Sequence, residues 1–217
     1  MSRRILVSSL ACLVACSAAL AVPRTRTETE SFKHGSNEGG WFLAGFDGLS
    51  LRGGNPGSFL AVRGLDTYAP QPRTTEPSTY TGDYRATRVV ALGVDVIVNK
   101  VDFSAEGRPL SLLLTSDPGT PDDPADDCTA YLVGTREIPL PGEGWAEFDF
   151  EVPSQSPTLP AGWGILEGCP EPDADAAWNR VIVDVDGVTY FYGDPTMFFI
   201  FQNWATGIDN PSITRVP

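Results

Sequence analysis

Only one histidine, His34, occurs in 217 residues. That scarcity argues against multi-histidine metal sites and against Ser-His-Asp catalysis. There is no Gly-x-x-x-x-Gly-Lys-Ser/Thr loop for phosphates, no His-Glu-x-x-His and no Gly-x-Ser-x-Gly elbow. No Asn-x-Ser/Thr acceptor exists either, because Pro211 blocks Asn210-Pro211-Ser212. Positive charge is sparse: 15 Lys and Arg face 28 Asp and Glu, for a net charge of −13. Such a chain repels nucleic acid and anionic membrane. No pattern supports a helix of three turns, and there is no internal repeat.

Long apolar runs are missing outside residues 5–21, so no other segment reaches the ~18 residues of a membrane span. Residues 1–21 read as a secretory signal peptide: Arg3 and Arg4, an apolar stretch, then Ala19-Leu20-Ala21 as a cleavage site. A second reading competes. Leu13-Val14-Ala15-Cys16 fits a bacterial lipobox, in which Cys16 becomes a lipid anchor. Either way the expected location is secreted or extracellular, or membrane-anchored as a lipoprotein. Residues 22–29 are polar and lack an apolar period, and are expected to be a flexible N-terminus. Residues 30–217 suit one domain.

With Cys12 and Cys16 in the leader, Cys128 and Cys169 remain as one pair. In an exported chain they are expected to form a disulfide closing a loop of ~40 residues. Zinc would have only His34 to join them.

What is plentiful is turn chemistry, 22 Gly and 19 Pro. It punctuates strand candidates at about 29–34, 41–46, 58–62, 88–103 (two strands broken near Gly93), 109–115, 129–134, 145–152, 187–192, 197–202 and 211–216. One or two helical turns are expected near 175–184, where Trp178, Val181, Ile182 and Val185 keep helical spacing behind Asp173 and Asp175. The fold class is all-β: a single antiparallel jelly-roll β-sandwich with long loops and at most one short helix.

The order Gly39-Gly40-Trp41, Gly54-Asn55-Pro56-Gly57, Tyr80-Thr81-Gly82-Asp83-Tyr84, Trp178-x-x-Val181-Ile182 and Gly207-Ile208-Asp209-Asn210-x-x-Ile213 resembles secreted bacterial jelly-roll modules. These are similar to laminin domain IV and, more distantly, to carbohydrate-binding modules. The resemblance implies that Asp209 helps hold a structural Ca2+ near the N-terminal strand, with Glu28 or Glu30 as the other carboxylate. Pro211 departs from the pattern, standing where an apolar strand residue is expected. Without the resemblance, Asp209 and Asn210 read as turn residues bonding their own backbone.

Three further constellations carry possible chemistry. Glu147-Phe148-Asp149-Phe150-Glu151 resembles the Glu-x-Asp-x-Glu signature of laminarinase- and lichenase-type glycoside hydrolases, which implies Glu147 as nucleophile, Asp149 as its partner and Glu151 as general acid. Alternation places the three acids on one face. The plainer reading is an ordinary strand whose wet face is acidic. The second is the acidic stretch from Asp117 to Asp127, with Asp122, Asp123 and Asp126. It offers hard oxygens to a cation but lacks the spacing of an EF-hand loop. The third is aromatic: Trp41, Trp163, Trp204, Tyr190 and Tyr192 are as readily core as ligand-binding. Tyr68, Tyr80 and Tyr84, in or beside a Pro-rich loop, are the ones expected to meet a ligand. The function expected is a non-catalytic extracellular or cell-surface binding or structural module, with a glycan or protein as partner. A calcium-stabilised carbohydrate-binding domain is the first alternative, and a glycoside hydrolase using Glu147 and Glu151 the second.

Overall fold

A computed structural model describes residues 24–43, 48–117 and 126–217. The expected leader with Cys16, and Asp122 and Asp123 of the acidic stretch, lie outside the described residues.

Two antiparallel sheets face each other. One contains β2 (Gly48–Gly54), β3 (Gly57–Thr67), β11 (Gln202–Arg215), β5 (Val89–Val101) and β8 (Ala146–Glu151), side by side in that order. The other runs β4 (Arg73–Thr74), β10 (Gly187–Tyr192), β6 (Pro109–Ser116), β7 (Cys128–Glu137), β9 (Trp163–Ile165). Helix α1 (Ala174–Val183) packs on β6, β7 and β9. This is the all-β sandwich read from the residues.

Apolar and polar residues alternate across the sheets, and β5 is rich in β-branched valine. In β5, Leu92, Val94, Val96 and Val98 are buried between the sheets. In β8, Phe148 and Phe150 point inward while Glu147, Asp149 and Glu151 are exposed. Leu110, Leu112 and Leu114 of β6 and Tyr190 of β10 meet them from the other sheet. Helix α1 starts where expected: the Asp173 carboxylate accepts the Ala176 N–H at 2.8 Å, and Trp178, Val181 and Ile182 turn inward. Cys128 and Cys169 are bridged, tying the start of β7 to the loop before α1.

β11 organises the first sheet. One flank pairs throughout with β5. The other pairs with β3 through Ile208↔Leu60, and then with β1 (Arg26–Thr29), from Thr29↔Ser212 to Arg26↔Arg215. Two strands thus share one edge, and Asp209, Asn210 and Pro211 fill the gap between them. Proline has no N–H to offer a ladder, and a gap is where that costs least. Its carbonyl is not idle: it accepts from the Glu30 N–H and the Tyr80 hydroxyl.

Several expectations are corrected. The turn expected at Asp209-Asn210 is a register shift inside a continuous β11, in which Asn210 has φ +48°. Asparagine tolerates that conformation because its side chain bonds locally. Residues 88–103 form one strand, not two. The first strand is at 26–29, within the stretch expected to be flexible, rather than at 29–34. Residues 197–201 are no buried strand; they form a loop in which Met197, Phe198, Ile200 and Phe201 are exposed.

Candidate functional site

The outer face of the first sheet carries a polar groove of about 390 Å3. Its floor is Gly93, its walls are Glu147 and Asp149 from β8, Asp95 from β5, and Asn210 and Ser212 from β11, and Thr27 and Thr29 of β1 close one end. Pairing explains the assembly. Asp95 lies opposite Glu147 on one side and opposite Asp209 on the other. Gly93 lies opposite both Asp149 and Ser212. A Cβ on Gly93 would sit 2.8 Å from the Asp149 carboxylate and 2.8 Å from the Ser212 hydroxyl. The missing side chain is what lets those two groups close over the floor.

At the groove's inner end the tip of the β2–β3 hairpin folds onto the sheet. The Asn55 N–H donates to Asp209 Oδ2 and the Asn210 N–H to Asp209 Oδ1. Both asparagine side chains donate to Asp95 Oδ2, at 3.1 and 2.8 Å. Asp209 is fully buried and Asp95 nearly so. Burial pushes the Asp209 carboxyl up to about 6; the two backbone N–H groups oppose that shift, and the charges of Asp95 and Glu30 add to it.

Beyond Glu147, on the same face of the chain, stands Trp145. Its indole N–H donates to the Gly53 carbonyl at 3.0 Å, and its ring packs edge-on against Phe59 at 5.2 Å. Trp145 is half-buried and also borders a second depression with Arg136 and Glu143.

The residues expected to form sites are distributed as follows. Glu147 and Asp149 line the groove, but Glu151, opposite Ala91, is not among its lining residues. Glu28 is engaged by Arg215 at 3.1 Å and accepts the Thr79 hydroxyl. The two Glu30 oxygens accept the N–H groups of Phe32 and Gly39. Glu28, Glu30 and Asp209 therefore serve three local networks. The acidic group whose oxygens gather within 4.8 Å of one another, among the described residues, is Asp117, Asp126 and Asp127.

The expectation of exposed tyrosines is corrected for two of three. Tyr80 and Tyr84 are each 1% exposed. The Tyr80 hydroxyl donates to the Pro211 carbonyl and accepts the Glu30 N–H, and the Tyr84 hydroxyl donates to the Tyr80 carbonyl. With hydroxyls satisfied inside, these rings are core, and burial drives both pKa values far up. Trp41 stacks on Tyr190 at 5.4 Å, and Trp163 packs at a tilt against Trp178 at 5.0 Å, also inside. Tyr68 alone of the three is exposed. Asn55, Asp95 and Trp145 are not evident as site residues from the sequence. Trp145, just before β8, shares the parity of the three acids, which is the available signal; Asp95 reaches the groove through pairing across the sheet, and Asn55 through the folding of the β2–β3 hairpin tip onto Asp95 and Asp209.

Fold and groove together define a two-sheet β-sandwich with a polar, acidic recess on one outer face. No family model matches the chain, and no curated protein matches it. Among solved structures, an exo-beta-agarase is similar over 86% of this chain, with a TM-score of 0.47 and 11% sequence identity; the chain spans 24% of that protein's length.

Proposed function

We propose that this is a non-catalytic binding module that holds a neutral or cationic polyhydroxylated ligand, a glycan in chemical class, in the groove of the first sheet. The observation that carries the reading is the groove's composition. Carboxylates, amides and hydroxyls from four strands converge on a floor opened by Gly93; the Trp145 indole stands outside that lining, two residues before Glu147, and borders the neighbouring depression. Planar acceptors and donors match sugar hydroxyls, and a fixed indole matches the apolar face of a sugar ring. No Lys or Arg lines the groove among the described residues, so acidic sugars are disfavoured.

The same geometry favours binding over hydrolysis. Glu147 and Glu151 are four residues apart on an extended strand, roughly 13 Å between Cα atoms. A retaining pair works at ~5–5.5 Å between carboxyl groups, so the two side chains would have to converge over one concave face. Glu151 also lies off the groove, which leaves the expected general acid without a place beside a bound sugar.

Affinity electrophoresis through gels holding neutral polysaccharides tests this. Wild type should be retarded by at least one of them. Asp149→Ala should weaken retention roughly ten- to hundredfold, the worth of one or two hydrogen bonds to a charged group. Glu151→Ala should behave as wild type. Undiminished retention of a folded Asp149→Ala protein would exclude the groove, and new reducing ends released by wild type but not by Glu147→Gln would show catalysis instead.

A structural calcium is a second reading, favoured by the elevated Asp209 carboxyl beside Asp95 and Glu30. Asp209 and Asp95, linked through Asn55 and Asn210, offer hard oxygen donors suited to calcium; Glu28, held by Arg215, and Glu30, whose two oxygens accept the Phe32 and Gly39 N–H groups, do not. The ion would offset the buried negative charge. Without it, the fold binds a proton at Asp209 more tightly than the unfolded chain does, because the folded value lies above the ordinary aspartate value of 3.8. Stability should then fall as pH rises from about 4 to about 6, and level off above. Asp209→Asn should remove that slope. Saturating calcium should raise the melting temperature at pH 7 by roughly 5–10 °C in wild type and not in Asp209→Asn. An Asp126→Asn/Asp127→Asn protein should keep the response. Identical melting with calcium and with EDTA would reduce Asp209 to an acceptor for two backbone N–H groups.

A further inference from the structure

The end of the sandwich away from the groove carries an apolar patch that the glycan reading leaves unused. Phe198 is 93% exposed, Phe103 73%, Phe201 69%, Met197 61%, Ile200 55% and Tyr68 39%. Three segments bring them together. The Tyr68 and Phe201 rings lie 5.9 Å apart. The Phe103 N–H donates to the side chain of Gln202, the residue after Phe201. An exposed large side chain offers 150–250 Å2, so the patch presents on the order of 700–800 Å2. That exceeds the largest apolar patch of an ordinary monomer and equals one side of a standard protein interface, about 800 Å2.

The patch is held in place from beneath. Phe199 alone in residues 197–201 turns inward, and the Arg108 guanidinium lies 4.3 Å from its ring centre and 5.2 Å from that of Trp204. Arg108 also donates to the Tyr68 carbonyl at 2.8 Å, so one buried cation secures two of the three segments. The loop's first turn is closed by Asp194, whose side chain accepts from the N–H and hydroxyl of Thr196. A display fixed in advance loses little entropy on binding.

Charge chooses among occupants. The flanks carry Asp66 and Asp102, both bonded to Asn203, together with Glu106 and Asp194. Lys100 is paired with Asp102 at 3.2 Å, and Arg108 is buried under the patch. Two copies meeting through this patch would oppose acidic flanks, and anionic lipid would be repelled. Interfacial membrane segments carry Lys and Arg beside their apolar face, the reverse of what is found here.

We propose that residues 197–201, with Tyr68 and Phe103, form a docking surface for a partner polypeptide whose apolar face is flanked by Lys or Arg. A synthetic amphipathic peptide with a leucine face and lysine flanks is the probe, labelled and titrated by fluorescence anisotropy against the whole protein. A second peptide carries glutamate in place of lysine. The lysine peptide should bind, and the glutamate peptide should not. Phe198→Ser/Phe201→Ser, which changes no charge, should weaken the lysine peptide at least tenfold while melting as wild type. Asp149→Ala should leave that binding unchanged, which separates this surface from the groove. Equal binding by Phe198→Ser/Phe201→Ser would mean attraction to net charge alone and overturn the proposal. So would a dimer in sedimentation that this variant dissolves, or wild-type binding to phosphatidylcholine vesicles that it abolishes.

Discussion

Replacing both Cys128 and Cys169 with alanine should cost about 4 kcal/mol of folding stability, the entropy of closing their loop in the unfolded chain. The two cysteines are 41 residues apart, and the span between them contains β7, β8 and β9. It therefore includes the strand that carries Glu147 and Asp149. For a domain of this size the loss is a fall in melting temperature of roughly 8–16 °C. The double variant is the right one, because either single variant leaves a free thiol. Wild type melted in reductant should drop to the value of the double variant. If oxidised and reduced wild type melt together, the bridge contributes nothing. Intact mass after alkylation under non-reducing conditions gives an independent check: neither Cys128 nor Cys169 should be modified in the folded chain.

Gly207→Ala is expected to be the most damaging single-methyl change in the first sheet. Gly207 sits between β3 and β5 at the middle of the central strand, opposite Ala61 and Ile97. A Cβ there would lie 2.5 Å from the Leu60 carbonyl oxygen and 2.7 Å from the Phe59 ring. The oxygen belongs to backbone held in the ladder and has nowhere to go. Phe59 has little room either, since its other neighbour is Trp145. Overpacking at such a site should cost about 3 kcal/mol, or roughly 6–12 °C in melting temperature. Gly64→Ala is the control. It lies on the same β3, and its Cβ would meet only the Asn203 side chain, at 3.9 Å. It should stay within about 0.5 kcal/mol of wild type. Equal effects at the two positions would show that loss of glycine as such, not the close approach, is responsible.

Much of the architecture is legible in the residues because local signals and burial agree. β10 is bounded as expected by Gly187 and Gly193, and α1 is announced by Asp173 and the spacing of Trp178, Val181 and Ile182. The alternation along β8 places its phenylalanines inside and its acids outside. The failures come where one local pattern serves two structures. Asp-Asn-Pro is turn chemistry, yet here it spans the gap where β3 gives way to β1. Gly93 reads as a break, yet it is a floor that two side chains need. The run at 197–201 is apolar throughout, and it is Arg108, distant in sequence, together with Phe191 and the bare backbone of Gly193, that receives Phe199 inward. Tyr80 and Tyr84 mislead for a similar reason: a Pro-rich neighbourhood suggests a surface, but their hydroxyls find partners inside. As for the site, the acids of β8 are visible in one segment. The groove they line is assembled from four strands, and strand partners cannot be read from alternation.

The short ladder between β1 and β11 also sets how the domain would answer a pulling force. Arg26 lies opposite Arg215, and the strands run antiparallel from there. Tension applied at these two residues loads the Arg26–Arg215 pair first, then Thr27–Thr214, then Glu28–Ile213, one pair after another. That is the geometry of a zipper rather than of a shear joint, in which all the bonds would be strained together. The Glu28–Arg215 ion pair and the hydrogen bond between the Thr27 and Thr214 hydroxyls are the two side-chain fasteners along it. Under load, β1 would peel away at low force. The rest of β11 would stay clamped between β3 and β5, and the disulfide would hold the far sheet, so the module would yield in two stages.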